Sequence, residues 1–298
     1  SRFIMMNIGD EKLETPALED FTTEDKWILS AVNSLAKEVT ENMDKFELGI
    51  AVHKVYDFIW DEFCDWYIEI TKTRTYKKEE DPKSAKTAMW TLKTVLIQAL
   101  KLLHPYMPFI TEEIYCNLTD EESIMLAKWP EFKEEWNFKA DEKAVETIKE
   151  AVRGIRNVRA EMNVSPKKKA QVYVVSEDAE IRDIFEQGKV FFATLGYASE
   201  VIIQDNKDGI GDDAVSSVIA GAVIYMPFAE LVDIAKEKER LAKEEKRLNG
   251  EIKRCEGMLG NERFVSKAPE AKVQEEKDKL AKYQQMLEQV KEQIARIS

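Results

Sequence analysis

The sequence is short of the residues that metal centres and membrane spans require. Its 298 residues include two histidines and three cysteines, and the cysteines (Cys64, Cys116 and Cys255) lie far apart. Three scattered cysteines exclude a four-cysteine zinc site and are typical of a reducing compartment, so we predict a cytoplasmic protein without bound metal. No run of about 18 apolar residues occurs, which excludes a transmembrane helix. Residues 1–7 also lack the form of a signal peptide.

Charge is distributed unevenly along the chain. The net charge of −13 argues against nucleic-acid binding by the chain as a whole. Residues 229–298, however, contain 16 Lys and Arg against 15 Asp and Glu, and residues 153–169 contain six basic residues and one acid. Phosphate binding depends on such local positive charge rather than on the total. The charged fraction of 34% is high and predicts long, exposed helices.

The clearest periodic segment runs from Glu47 to Lys72. Its apolar residues recur every three or four positions, which predicts one α-helix at the centre of a helical bundle over residues 1–145. The opposite face carries Asp57, Asp61 and Asp65, and these carboxylates either form a solvated face or meet basic groups or base amino groups. The residues predicted to point inward are Val52, Val55, Tyr56, Ile59, Trp60, Phe63, Trp66, Tyr67 and Ile70.

The periodicity changes after the bundle. Residues 146–228 are predicted to form a small α/β connector domain that carries no catalytic motif and acts as a spacer. Its predicted strands are 171–175, 200–204 and 217–226, and its predicted helices are 177–187 and 190–195.

From Leu231 onward the apolar residues follow a heptad pattern. Two narrow apolar seams separated by a segment with Gly260 and Pro269 predict an antiparallel two-helix coiled-coil hairpin over residues 229–298. A coiled coil by itself indicates dimerisation or a spacer, whereas the Gly/Pro turn favours an intramolecular hairpin and hence a monomer. The fold class is therefore mainly α: a helical bundle, a small α/β domain and the hairpin.

Four stretches resemble valyl-tRNA synthetases, which are class I aminoacyl-tRNA synthetases, in the same order along the chain. Residues 1–6 resemble the segment that joins the catalytic core to the anticodon bundle, so we expect the chain to be part of a longer protein. Residues 57–69 resemble a signature of the anticodon-binding domain. Residues 155–166 and 261–269 resemble two further segments, the latter at the tip of the family's C-terminal arm.

The resemblance implies a tRNA-binding, C-terminal part of a valine–tRNA ligase. The anticodon would be bound by Arg2, Phe3 and Asp65, with Phe3 stacking on a base and Asp65 accepting from a cytosine amino group. Valine anticodons end in adenine and then cytosine, which suits that pair of contacts. The alternative is that Phe3 packs in the core and Asp65 pairs with a nearby cation.

Two basic groups are further candidates for tRNA contact. In the arm, the resemblance points to Arg254 and Lys279, assisted near the tip by Arg263 and Lys267, as contacts to the outer corner of the tRNA. Exposed ion pairs within the arm are the alternative. The second group is either a solvated basic turn or a contact to the RNA backbone, and it comprises Arg153, Arg156, Arg159, Lys167 and Lys168.

The ATP-site motifs of class I synthetases, His-x-Gly-His and Lys-Met-Ser-Lys-Ser, do not occur in residues 1–298. We therefore expect this chain to be inactive alone and to hold no cofactor, while ATP would serve the parent enzyme. The expected partners are valine tRNA and the catalytic and editing domains of the same polypeptide. Isoleucyl enzymes commonly carry a cysteine zinc site and leucyl enzymes lack the arm, so the valyl family fits best. A structural protein that dimerises through residues 229–298 is the second hypothesis.

Overall fold

The computed structural model describes residues 1–9, 13–231, 234–261 and 269–296, and the chain divides into two compact units, Ser1–Pro227 and Phe228–Ser298. The first unit begins with seven helices: α1 (Arg2–Ile8), α2 (Thr23–Asp44), α3 (Leu48–Asp57), α4 (Glu69–Tyr76), α5 (Pro82–Leu103), α6 (Pro108–Leu118) and α7 (Lys139–Glu161). It continues with β1 (Ala170–Val175), α8 (Ala179–Gln187), α9 (Lys189–Leu195), β2 (Ala198–Gln204), β3 (Val215–Ile219) and β4 (Ala222–Met226). The second unit contains α10 (Phe228–Leu231), α11 (Ile234–Leu259) and α12 (Glu270–Arg296). The predicted mainly α fold with a small sheet is confirmed.

The helix predicted over residues 47–72 is not a uniform α-helix. A π-helical stretch, Phe58–Ile68, connects α3 to α4. A π-helix has more residues per turn than an α-helix, so it shifts the phase of the buried face. The prediction that Tyr56 and Trp60 point inward is wrong, because both side chains are exposed, and Phe58 is buried instead. The phase shift accounts for Trp60, whereas Tyr56 precedes the π-helical stretch and lies in α3.

Local signals fix where the bundle helices begin. Thr22 and Asp25 form a capping box at the start of α2, in which the Thr22 backbone N–H donates to the Asp25 carboxylate over 3.2 Å. Asp81 caps α5 by accepting from the Ser84 backbone N–H at 3.0 Å, and Pro82 occupies the first turn. Each helix start is thus fixed by side chains of its own first turn or of the residue before it.

The bundle has two distinct ends. At its proximal end the side chain of Arg74, near the end of α4, bonds Thr22 and Ser84, which stand at the starts of α2 and α5. Further along, residues of α2 and α5 line one shallow cavity, so these two helices run in the same direction. The distal end is consequently where α2 ends, α3 begins and α5 leads into α6.

The α/β part packs directly on the bundle through α7. Its sheet has the strand order β2-β1-β4-β3, with β1 and β2 parallel and the other pairs antiparallel. Gly154 of α7 lies so close to β3 that an added Cβ would stand 2.5 Å from Ser217 Oγ. The boundary predicted at residue 145/146 falls inside α7, and the division into three domains stays a prediction.

The single strand predicted over residues 217–226 is wrong. The segment is a hairpin in which Ile219 of β3 pairs with Ala222 of β4. Gly221 turns the chain with a φ of 78°, a conformation that residues with a Cβ rarely adopt. A glycine within a β-branched run was therefore the signal of a turn.

In the second unit α11 and α12 pack side by side in antiparallel directions. Cys255, close to the end of α11, donates a hydrogen bond to Glu276, close to the start of α12, over 3.5 Å. The apolar cluster between them comprises Leu241, Leu248, Ile252, Leu287 and Val290, flanked by Leu280, Tyr283, Met286 and Ile294. The predicted seam is thus present, while the supercoil of a coiled coil stays a prediction. Among the described helices, none is both long enough and apolar enough for a membrane span.

Candidate nucleic-acid interface

An aromatic pair lies at the proximal end of the bundle. Phe3 of α1 is half-buried, and its ring meets the ring of Tyr76 edge-on, with centroids 6.4 Å apart and an interplanar angle of 80°. Lys72 Nζ lies 6.0 Å from the centroid of the Phe3 ring. Tyr76 is 70% exposed and Arg2 is also exposed. The site therefore offers aromatic surface beside two cations, the combination that binds unstacked bases and their phosphates.

A buried polar network fixes the helix that presents this pair. The Arg74 guanidinium donates to Asp25 Oδ1 at 2.8 Å, to Ser84 Oγ at 2.8 Å and to the Ser84 carbonyl at 2.9 Å. Tyr67 donates to the same Asp25 oxygen at 2.6 Å. Because Arg74 joins α2, α4 and α5, the neighbouring side chains of Lys72 and Tyr76 have a defined position.

The protonation states in this network follow from burial and charge. Burial alone would lower the pKa of Arg74, but the attraction and hydrogen bond of Asp25 outweigh it and raise the pKa above its ordinary value. Burial, together with the negative charge of Asp25, holds the pKa of Tyr67 well above its ordinary value. Arg74 is therefore charged and Tyr67 neutral at physiological pH, which is the pairing that the hydrogen bonds require.

Asp65 is an exposed carboxylate in the π-helical stretch. It makes no hydrogen bond or ion pair with any residue that the structure describes, so the alternative of an internal ion pair is not realised there. Asp65 lies in the last turn of the π-helical stretch, and Lys72 and Tyr76 lie in α4, which continues it. The helix that carries Asp65 thus also carries the two residues that meet Phe3.

Trp66, the residue after Asp65, packs against a row of cations on α7. The guanidinium carbons of Arg153 and Arg156 lie 5.6 Å and 5.5 Å from its ring centroid. Arg153 also pairs with Glu146 at 2.8 Å, and Arg156 donates to the Leu195 carbonyl at 2.9 Å. Both arginines are exposed, and they pack on the residue that follows the anticodon-site candidate Asp65 in the sequence.

Arg159 does not belong with the surface arginines. It is buried, and one of its nitrogens donates to the carbonyls of Ser165 and Lys168 at 3.1 Å and 2.6 Å. Burial lowers the pKa of Arg159, and its guanidinium also stacks 5.2 Å from the Tyr197 ring. Arg159 therefore shapes the turn that carries Lys167, which is exposed, and Lys168, which is partly exposed. We remove Arg159 from the predicted RNA contacts.

In the arm, the two predicted contact residues are held by neighbouring carboxylates. Arg254 is 61% exposed and lies 3.6 Å from Glu251, whereas Lys279 pairs with Glu275 at 2.7 Å and with Glu276 at 3.0 Å. Lys279 donates hydrogen bonds to the carboxylates of Glu275 and Glu276, and these bonds raise the pKa of Lys279. Both cations flank the Cys255–Glu276 contact, one on each helix. Arg263 and Lys267 lie outside the described residues.

The family described as "Anticodon-binding domain of tRNA ligase" matches residues 25–174, which is half of the chain. The chain belongs to the anticodon-binding domain family of tRNA ligases. A second family, "Valyl tRNA synthetase tRNA binding arm", matches residues 233–298. The anticodon-binding match begins after α1, so Arg2 and Phe3 stand outside it, while Asp65, Lys72 and Tyr76 lie within it.

Curated relatives extend the similarity over nearly the whole chain. A valine–tRNA ligase of Clostridium tetani is 51% identical over 296 residues, and that of Clostridium perfringens is 50% identical over 296 residues; each alignment covers 99% of this chain and 33% of the relative. The valine–tRNA ligase of Carboxydothermus hydrogenoformans is 38% identical over 299 residues, which cover 100% of this chain and 34% of the relative. The chain thus spans about a third of the length of its ligase relatives, and the resemblance to valyl-tRNA synthetases is confirmed.

The sequence of this anticodon-binding family member did not indicate a role for three residues: Lys72, Arg74 and Tyr76. Lys72 ends the helix predicted over residues 47–72 and Tyr76 lies one turn beyond it, so extending that helix by one turn would have included both. Arg74 gave no signal, because its partners Asp25 and Ser84 are distant in sequence. Within the described ranges, no cluster of His, Cys, Asp and Glu side chains could hold a metal ion.

Proposed function

We propose that this chain is the tRNA-binding part of a valine–tRNA ligase. The bundle binds the anticodon loop of valine tRNA, and the arm contacts the outer corner of the tRNA. One observation carries the proposal: inside an anticodon-binding bundle, the helix that presents Lys72 and Tyr76 to Phe3 also carries the exposed Asp65. Stacking surface, positive charge and a free acceptor are the three features that recognition of single-stranded bases needs.

Each residue has a distinct role in this proposal. Phe3 and Tyr76 offer ring surface to unstacked anticodon bases, and Lys72 and Arg2 bind the adjacent phosphates. Asp65 accepts a hydrogen bond from the amino group of cytosine, the last base of valine anticodons. Because uracil and guanine present an oxygen in the corresponding position, the carboxylate would repel them.

A second set of cations continues from this surface along α7. Arg153 and Arg156 beside Trp66, and Lys167 and Lys168 in the turn after α7, follow the RNA backbone in this proposal. Their contacts are sequence-independent, because they address phosphates rather than base edges. The pair between Arg153 and Glu146 is exposed and contributes little to folding, so its arginine can exchange the carboxylate for a phosphate at low cost.

In the arm, Arg254 and Lys279 bind the tRNA corner, assisted by Arg263 and Lys267. The intramolecular seam between α11 and α12 buries Leu248 and Ile252 within one chain. That burial supports a monomer over the structural alternative, in which two chains dimerise through this region. We propose a cytoplasmic location, where tRNA charging takes place.

In this proposal the remainder of the ligase catalyses the reaction. That part of the polypeptide contains the catalytic and editing domains and the ATP site. The chain provides binding energy that positions the tRNA for that chemistry. Purified chain, free of host synthetase, should therefore show no valine-dependent ATP–pyrophosphate exchange. An exchange rate that exceeds the rate in a mock purification and rises in proportion to the amount of chain would contradict the proposal that the chain has no catalytic activity.

The decisive experiment compares tRNA binding by the purified chain. Valine tRNA should bind more tightly than isoleucine tRNA at equal salt, and a valine tRNA whose last anticodon base is changed from cytosine to uracil should lose the advantage. Single mismatches of this kind typically cost about 1–3 kcal/mol in nucleic-acid recognition. Equal affinity for all three tRNAs would show that the bundle does not read the anticodon.

A further inference from the structure

The shallow cavity between α2 and α5 has a third wall, which is formed by a connecting segment. Residues 127–138 connect the short helical turn Ile124–Leu126 to α7, and we call them the strap. The cavity that the strap forms with the two helices, the strap cavity, has a volume of about 240 Å³. Typical ligand sites measure about 300–1,000 Å³, so the strap cavity suits one small ligand that stays partly in solvent.

Hydrogen bonds fasten the strap to α2. Asn33 makes two of them with the Lys133 backbone: its Nδ2 donates to the carbonyl, and its Oδ1 accepts from the N–H, each over 2.8 Å. The indole Nε1–H of Trp129 donates to Thr40 Oγ1, also over 2.8 Å. The walls of the cavity are therefore fixed before a ligand binds, which reduces the entropy cost of binding.

Trp129 presents its ring to the cavity. The side chain is half-buried, and the ring contacts no other ring or cation in the part of the chain that the structure describes. The second tryptophan of the lining, Trp136, differs: Lys133 Nζ lies 4.4 Å from its ring centroid, and Trp90 meets it edge-on. Trp129 therefore offers the exposed ring surface, and aromatic ligands stack on such surfaces.

Positive charge surrounds this ring. Among the described residues that line the cavity, three lysines (Lys101, Lys128 and Lys133) stand against one carboxylate, that of Glu131. Lys101 and Lys133 each lie over an aromatic ring. Lys128 is exposed and makes no hydrogen bond, ion pair or ring contact with any residue that the structure describes. A cleft with an excess of one sign of charge attracts ligands of the opposite sign, so the lining favours an anion.

Two further polar groups line the cavity without a partner inside the protein. The Gln98 amide on α5 is half-buried and the Glu131 carboxylate on the strap is exposed, and neither bonds another residue in the described ranges. An amide both donates and accepts hydrogen bonds, whereas a carboxylate only accepts them. Together they suit a ligand with hydroxyl or amino groups. The lining as a whole matches a molecule that combines an aromatic ring, hydroxyl groups and a negative charge.

We infer that the strap cavity binds one nucleoside monophosphate unit. The base stacks on Trp129, the phosphate binds Lys128, and the sugar hydroxyls donate to Glu131. The inference goes beyond the proposed function, because the cavity is remote from the anticodon candidates. Gln98 follows Ser84, the partner of Arg74, by 14 residues on α5, which places it about 21 Å further along the helix axis. The nucleotide is either free or an unstacked nucleotide of an RNA, since both present the same three groups.

Titration with three small molecules tests the chemistry. Adenosine monophosphate should bind the purified chain saturably and at least about tenfold more tightly than adenosine, which lacks the phosphate, or inorganic phosphate, which lacks the ring. In NMR spectra, the indole N–H signal of Trp129, assigned by its loss in Trp129→Phe, should shift as adenosine monophosphate is added. Equal affinity for all three molecules, or saturation that leaves the Trp129 signal unmoved, would overturn the inference.

A charge reversal on the strap tests the phosphate contact. Lys128→Glu should weaken binding of adenosine monophosphate about tenfold or more, because a carboxylate repels the phosphate that the ammonium attracts. Lys143→Glu on α7 is the matched control, since Lys143 is also exposed without an ion pair in the described ranges. Its affinity should equal that of the wild type, and circular dichroism melting establishes that both variants fold. An equal loss in the two variants would show attraction by total charge and would overturn the inference.

Valine tRNA distinguishes the two sources of the nucleotide. Weaker tRNA binding by Lys128→Glu than by Lys143→Glu would place a nucleotide of the RNA in the cavity, whereas equal tRNA binding would assign the cavity to a free nucleotide. The proposed function has its own outcome. A chain that binds adenosine monophosphate at Trp129 but does not distinguish valine tRNA from isoleucine tRNA would support this inference and contradict the proposed function.

Discussion

The bundle and the arm hold their RNA-facing side chains in different ways. In the bundle, Lys72 and Tyr76 stand on either side of Arg74, whose buried guanidinium bonds residues of α2 and α5 and so fixes their helix, although Lys72 itself also pairs with Glu69 at 2.5 Å. In the arm, Arg254 and Lys279 are fixed only by carboxylates three or four residues away on their own helices. The first arrangement is set by tertiary structure and the second by local sequence.

The difference predicts how each region recognises RNA. A buried network fixes the geometry of nearby side chains, which favours reading of particular bases. Exposed ion pairs contribute about 0–1 kcal/mol and exchange partners readily, so they supply charge without fixed geometry. The bundle should consequently provide specificity that depends little on salt, and the arm should provide affinity that salt weakens.

The largest loss of stability is expected from a substitution that breaks the buried network around Arg74. Arg74→Ala leaves the fully buried Asp25 with the Tyr67 hydroxyl as its remaining side-chain partner, and removing one member of such a pair typically costs about 3–5 kcal/mol. Denaturant unfolding of the first unit measures this loss. Lys77→Ala, which removes an exposed pair with Glu80, is the control and should change the stability by no more than about 0.5 kcal/mol. Equal small effects for both variants would show that the network does not stabilise the bundle.

The second effect concerns the arm alone. Leu248 is fully buried in the seam, and Leu→Ala changes in cores cost about 2–5 kcal/mol. Because the seam has only one partner helix, Leu248→Ala should weaken α11 and α12 while the first unit unfolds as before. Thermal unfolding followed by circular dichroism should show the helical signal of the arm lost at lower temperature. The exposed Lys243→Ala is the control, and a shift of both transitions together would contradict two independently stable units.

A smaller effect is expected at the aromatic pair. Phe3→Ala should weaken binding of the valine anticodon stem-loop by about 1–3 kcal/mol, the usual contribution of one stacked base. Met6→Ala provides the control, because Met6 lies one turn further along α1 and is 72% exposed. Unchanged stem-loop affinity in a Phe3→Ala chain that melts normally would remove Phe3 from the anticodon site.

Sequence patterns predicted the regular parts of the molecule well. The mainly α fold, the small sheet and the apolar seam of the arm followed from apolar spacing, because that signal lies within the segments themselves. The π-helical stretch could not be found in this way, since a period of 3.6 residues is assumed in recognising a helix. That assumption placed Trp60 inside, and the structure exposes it.

The candidate site shows the same limit. The resemblance to valyl-tRNA synthetases supplied Phe3 and Asp65, but it could not show that Phe3 meets Lys72 and Tyr76. The basic run after residue 153 grouped Arg159 with Arg153 and Arg156, although Arg159 is buried against Tyr197. Whether a charged side chain is exposed or buried depends on partners that are distant in sequence, and composition does not report them.

The smallest change in free energy is expected in the arm, and its signature is salt dependence. If Arg254 and Lys279 bind phosphates, the double variant Arg254→Ala plus Lys279→Ala should reduce the slope of log affinity against log salt by up to about two units. Arg254 should account for more of this than Lys279, because one carboxylate at 3.6 Å holds it whereas two hold Lys279. Helicity should remain, since both side chains lie outside the apolar cluster of the seam.

The matched control for the arm removes the same charge elsewhere. Lys243→Ala plus Lys291→Ala takes one exposed cation from α11 and one from α12, toward the other end of the helix pair. The measurement is valine tRNA affinity across a salt series for both double variants and the wild type. Equal slopes of log affinity against log salt in the two double variants, both below the wild-type slope, would mean that the arm acts through its total charge. A wild-type slope in the Arg254/Lys279 variant would mean that these residues do not touch the RNA. A reduced slope in that variant alone would place the RNA backbone at the Cys255–Glu276 level of the arm, because Arg254 and Lys279 flank that contact from opposite helices.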